Sequence, residues 1–167
     1  GPHAARERYD AAAHAERELE VERVGLGKVG AGVKLPWQVD GRRWHLQQRD
    51  SRGATPRHWE PRALEFVEDL VHRAGRFEPT NWNNAASVEI TAAGASVWFL
   101  HALTGGEWLL ELYFRAPPGH FDAARLNRQL GLKTLDQRAD IPAYGDFPRA
   151  DVRSRRDGPD AVVVYVH

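Results

Sequence analysis

The sequence has no cysteine and no methionine, only three lysines (Lys28, Lys34, Lys133) and only four serines (Ser51, Ser87, Ser96, Ser154). The missing thiols exclude disulfides, thiolate catalysis and every zinc site that uses sulfur. None of the four serines sits in a Gly-x-Ser-x-Gly elbow, and no acidic residue stands two positions before a lysine. The first absence excludes the common serine-hydrolase turn, and the second removes the acidic-x-Lys element of a common nuclease core. Long apolar runs are lacking as well. The longest is the six-residue stretch 161–166, far short of the ~20 residues that a membrane helix needs. No charged-then-apolar leader with a small-residue cleavage site opens the chain, so no membrane association is expected and a reducing cytoplasm suits it. Gly1-Pro2-His3 reads as a protease scar, and the Met-free body as a piece of a longer protein.

What is present fits one ordinary domain. The 167 residues are 42% hydrophobic and 28% charged, with 23 basic against 23 acidic side chains, so bulk charge selects no partner. Among the basic residues arginine outnumbers lysine twenty to three, a bias that suits guanidinium forks on phosphate or carboxylate as well as GC-rich coding.

Residues 1–34 divide into the scar, a polar Ala/Glu/Arg connector helix over 4–24, and a linker with four glycines between Gly25 and Gly32. The Gly25-x-Gly27-x-x-Gly30 spelling matches a dinucleotide fingerprint. It lacks the preceding strand and following helix that give that fingerprint its chemistry, so it reads as linker. Residues 35–167 read as a single α+β domain. Alternation predicts a strand over 39–48, and spacings of three and four (Leu64, Val67, Leu70, Val71, Ala74) predict a helix opened at Pro61 and stopped by Gly75. Strands are expected over 87–91, 96–103 and 107–115, joined by short turns and therefore antiparallel. A second helix over 120–130 ends at Gly131, and a hairpin pairs 151–155 with 161–166. The expected architecture is an antiparallel sheet of about five to six strands with two helices on one face, preceded by the connector helix.

Chemistry-bearing residues cluster in two places. Arg42, Arg43, His45, Arg49, Arg52, Arg57 and Trp59 interleave cations with aromatics, and Asn81, Trp82, Asn83 and Asn84 form an unusual amide-rich turn. Arginine forks grip phosphates, aromatic planes stack on bases and asparagine reads base edges, so this mixture is one way to hold nucleic acid. The same stretch also suits core filling by Trp37 and Trp44, arginines that solvate a sheet face, and self-satisfied turn amides. Pro79 and the asparagines favour an exposed turn, which predicts that Trp82 projects outward and is dispensable for stability. Glu65, Glu68, Asp69 and His72 share a helix, with Glu68 and His72 one turn apart, but no His-x-x-x-His pair exists and no metal or cofactor is expected. Glu65, Glu89, Glu107 and Glu111 are available as acid or base without a motif.

The order Leu-Pro-Trp-x-Val-x-Gly-Arg-x-Trp-His at 35–45, followed by Trp-Asn-Asn at 82–84, resembles a domain found at the C-terminal end of some bacterial UvrA-like excision-repair ABC ATPases. The resemblance spans about 35–167. It departs at 49–54, where a Lys-Gly-Phe-type segment is replaced by Arg-Asp-Ser-Arg-Gly-Ala, and the ATPase motifs are absent. It implies a non-enzymatic accessory module of a DNA-repair or DNA-damage-resistance protein, with DNA or the ATPase portion of a longer parent chain as partner. The alternative reading is a pocket for a small molecule or damaged base with hydrolytic chemistry.

Overall fold

The computed structural model describes residues 32–48, 57–135, 141 and 148–167. The connector helix, most of the glycine-rich linker, Arg49 and Arg52 lie outside the described residues. The architecture is α+β, built on a five-stranded antiparallel sheet of β1 (Ser87–Thr91), β2 (Trp98–Leu103), β3 (Leu110–Ala116), β4 (Ala150–Arg153) and β5 (Asp160–Val166). The spatial order is β1-β2-β3-β5-β4, so the chain leaves the meander after β3, crosses to the far edge and returns through the β4–β5 hairpin.

The predicted strand over 39–48 is instead helical: α1 (Pro36–Val39), α2 (Gly41–Arg43) and a π-helical turn (Trp44–Gln48). Local capping and burial overrule the alternation. Pro36 opens α1, the Gln38 side chain accepts from the Leu35 amide, and the Asp40 carboxylate accepts from the Arg43 amide at 3.0 Å. Trp37, Gly41, Trp44 and His45 then fall at i, i+4, i+7 and i+8, the spacing of one helical face, and all four are buried. Trp37 and Trp44 pack with Ala85, and the Trp44 indole donates to the Ala85 carbonyl at 2.8 Å. Gly41 has no room for a side chain, because a Cβ there would drive into the backbone carbonyl of Trp82.

The longer helix α3 (Arg62–Arg73) begins after Pro61 and ends before Gly75, whose φ of 73° suits glycine alone at low cost. It buries Leu64 and Val71, while Leu70, expected on the same face, is 55% exposed. The fourth helix, α4 (Ala123–Leu130), is capped by the Asp122 carboxylate and closed by Gly131 in the left-handed region. From α4 the Asn127 side chain both donates to and accepts from the backbone of Ala150. It thus occupies part of the edge of β4 that would otherwise template another strand.

Register assigns the sheet two unlike faces. Val88, Ala102, Leu112, Val164 and Ala150 align across the strands, as do Ile90, Leu100, Phe114, Val162 and Val152. This apolar face forms the main core with Leu64, Val71, Leu46 and Trp59. The opposite face carries the rows Glu89, His101, Tyr113, Val163, Asp151 and Ser87, Leu103, Glu111, Tyr165. Leu135 and Ile141 cluster with Leu103, Tyr113, Val163 and Tyr165 on that side. An irregularity in the β1–β2 register between Ile90 and Thr91 pairs Thr91 with Trp98 and skips Phe99. The bulge re-aims both rings. Phe99 packs with Phe77 and Phe114 against the apolar core, and Trp98 joins the opposite face.

Candidate functional site

The amide-rich turn and the cation cluster do meet, but most of their groups serve the fold. His45 is fully buried; its Nε2 donates to the Asn84 carbonyl at 2.7 Å and its Nδ1 accepts from the Thr104 hydroxyl at 2.6 Å. Trp59 is 2% exposed, with its indole donating to the Gly106 carbonyl. The Arg57 guanidinium lies 4.7 Å over the Trp59 ring and donates to the carbonyls of His45 and Leu46. These three residues are interior or tethered, and a base cannot reach the His45 or Trp59 ring without opening the core. Trp82 is half-buried and packs on the main core, so the expected free projection does not occur. Arg42 lies 5.7 Å over its ring and pairs with Glu65 at 3.0 Å, which offsets the cation that a phosphate would use. Asn81 is exposed; its side chain accepts from the Asn83 amide and its backbone bridges Glu89. Arg43 and Asn83 are exposed, and Asn84 is half-buried.

The Glu68–His72 pair on α3 is bridged by a hydroxyl: Thr80 donates to Glu68 at 2.9 Å and accepts from His72 at 2.8 Å. Asp69 is paired with Arg73 one turn on. No group of three or more histidine and carboxylate side chains is placed to hold a metal ion among the described residues. None of the described helices is long and apolar enough to cross a membrane.

A different set of residues converges on the polar sheet face. His101 Nδ1 lies 2.9 Å from a Glu89 oxygen, with side chains 23% and 30% exposed. A carboxylate only accepts, so Nδ1 carries the proton, and the tautomer this selects has its lone pair at Nε2. That nitrogen has no hydrogen-bond partner among the described residues. Trp98 stands beside it, ring centroids 5.4 Å apart, and on Trp98 lies the Arg115 guanidinium at 4.2 Å. Arg115 Nε donates to the Trp98 carbonyl at 2.9 Å, while its two terminal nitrogens have no hydrogen-bond partner among the described residues. A stacked and tethered guanidinium has already lost most of its freedom, so its open fork meets an anion with little further ordering cost.

Behind this pair sits a buried network. Tyr113, edge-on to His101, donates to Glu111 at 2.7 Å, and Arg153 lies over the Tyr113 ring and donates to the Tyr165 hydroxyl at 3.0 Å. Burial, reinforced by Glu111, holds the Tyr113 phenol well above its usual range and pushes Tyr165 up to about 12. Both phenols stay protonated at neutral pH, with the Tyr113 hydroxyl donating to Glu111 and the Tyr165 hydroxyl accepting from Arg153. Of the four glutamates available from the sequence, Glu89 and Glu111 come to this one face; Glu65 is paired with Arg42 and Glu107 approaches His58.

Trp98, His101, Tyr113, Arg115 and Arg153 were not among the residues singled out from the sequence. Their signal is the odd numbering of Glu89, His101, Glu111, Tyr113 and Arg115, which period-two alternation places on one face once the meander is paired. Compared with family models, curated proteins and solved structures, the chain finds no match.

Proposed function

We propose that this domain is a binding module for a small planar organic anion, an aromatic or heterocyclic ring bearing a carboxylate or phosphate, received on the polar sheet face. The observation that carries this reading is the Arg115 fork, tethered on Trp98, whose ring also contacts that of His101 with its open Nε2. Arg115 takes the anionic group, Trp98 offers ring contact, and His101 Nε2 accepts a hydrogen bond from a ligand N–H or O–H. An amide NMR titration with terephthalate and a nucleoside 5′-monophosphate tests it. Saturable shifts at the Trp98 indole and Arg115 Nε–H support the reading; no shift with either ligand removes it.

A second reading keeps the module in DNA repair, as an accessory domain that binds DNA or docks the ATPase portion of a longer parent chain. The exposed Arg43, Asn81 and Asn83 beside the Arg42–Trp82 stack favour it, as does the resemblance carried by residues 35–45 and 82–84. Its binding would be weak and would fall steeply with salt, because few unpaired cations take part. Anisotropy titration with duplex, single-stranded and lesion-bearing DNA at low salt distinguishes the two, since no binding to any of the three leaves only the first.

A further inference from the structure

We infer that the same face is hydrolytic toward carboxylic esters of such anions, with His101 as the proton-transfer group and Glu89 as its positioning residue; the inference rests on the binding reading above. Glu89 fixes the Nδ1–H tautomer and the ring direction through the 2.9 Å contact. Nε2 is left open at a partly exposed position, which is the arrangement a general base requires. Glu89 and His101 face each other on neighbouring strands, and both strands have further partners: β2 pairs with β3, and Glu89 bridges Asn81. The pair is therefore held by backbone on both sides. Trp98 and Tyr113 both contact the imidazole, which favours one ring direction.

The step needs only water. Nε2 takes a proton as the water oxygen bonds to the ester carbonyl carbon and the carbonyl π pair moves onto its oxygen. When that pair returns, the bond from carbon to the leaving oxygen breaks, and the proton on Nε2 passes to the leaving group. The products are an acid and an alcohol, and His101 ends neutral. Arg115 holds the remote carboxylate and takes no part in the bond changes.

The test uses the mono-4-nitrophenyl ester of terephthalic acid and follows 4-nitrophenol release. The wild type should turn over with saturation, and His101→Gln should lower kcat about 100-fold or more, in the range general acid–base groups supply. Glu89→Ala should lower kcat about 10-fold at unchanged KM, with partial rescue in Glu89→Gln, which keeps an acceptor for Nδ1–H. Arg115→Ala should raise KM for this anionic ester, and His120→Gln, at a histidine outside the site, should change nothing. Equal rates for the wild type and His101→Gln overturn the inference. If terephthalate still shifts the Trp98 indole while the ester is not hydrolysed, hydrolysis alone fails. If neither binding nor turnover occurs, the binding reading falls with it. Should His101→Gln fail to fold, an unchanged kcat in Glu89→Ala and an unaltered KM in Arg115→Ala together overturn it.

Discussion

The two faces of one sheet share the same five strands and differ in everything their side chains do. The apolar face is the closed one: Val88 to Val164 and Ile90 to Phe114 pack into one core with Leu64 and Val71 of α3, Leu46 and Trp59. On the polar face two groups are held firmly yet left with open hydrogen-bonding capacity, the His101 Nε2 and the Arg115 fork. The contrast separates residues spent on stability from residues available for recognition. It also sorts the tryptophans. Trp37, Trp44 and Trp59 are interior anchors, whereas Trp98 has been carried to the opposite face by a bulge beside Thr91.

Mutations on the two faces should therefore behave oppositely. The largest stability effect is expected at Trp59, where truncation to alanine removes a ring that is 2% exposed and orphans the Gly106 carbonyl. Trp59→Ala should cost about 3–5 kcal/mol, a large part of the roughly 5–15 kcal/mol typical of a domain, and denaturant titration reads it directly. Little or no loss would mean that the closed face is not the stabilising one.

The next effect belongs to the floor of the polar face and depends on pH. Tyr165 is held at about 12 against the ordinary 10 that the unfolded chain retains. Its contribution is fully present below pH ~10 and is lost as pH rises through about 12, because the unfolded state ionises first. Stability should fall by roughly 2–3 kcal/mol across that interval, and Tyr165→Phe should flatten that part of the curve. An unchanged slope in the variant would remove Tyr165 from the buried network.

Trp82 lies between the extremes. It is half-buried on the core, with Arg42 over its ring, so Trp82→Ala should cost about 1–2 kcal/mol and lower the melting temperature by several degrees. A melting temperature equal to the parent would return Trp82 to the exposed turn expected from the sequence. The smallest stability effect is expected at Trp98, where alanine should cost about 1 kcal/mol or less in thermal unfolding while abolishing anion binding. A loss of 3 kcal/mol or more would make Trp98 a core residue and blur the division between the faces.

Much of the sheet was legible in the sequence because its signals are local. Strand β1 matches its expected limits at both ends, the turns after it contain the glycines such turns need, and Gly75 and Gly131 end the helices they were expected to end. The segment 39–48 was misread because the alternation of Trp44, Leu46 and Gln48 describes a strand, while Trp44 also stands at helical spacing from Trp37 and Gly41. The deciding Asp40 cap and the Trp37-Gly41-Trp44 face act only when packed against Ala85 and Trp82. The candidate site was far less legible. Cation–aromatic spelling drew attention to His45, Arg57 and Trp59, which tertiary hydrogen bonds consume. Trp98 and Arg115 lie seventeen residues apart and meet only through the β2–β3 register and the bulge, neither of which is written in any short motif.

The division between a closed face and a receptive one is tested most directly by an amide and indole NMR titration with terephthalate, run on the wild type and on Trp98→Ala. In the wild type, shifts should concentrate at the Trp98 indole, Arg115 Nε–H and the amides around His101, saturate with ligand, and vanish in Trp98→Ala while the variant stays folded. Shifts centred instead on Arg43, Asn81 and Trp82, or a titration that Trp98→Ala leaves intact, would contradict the account.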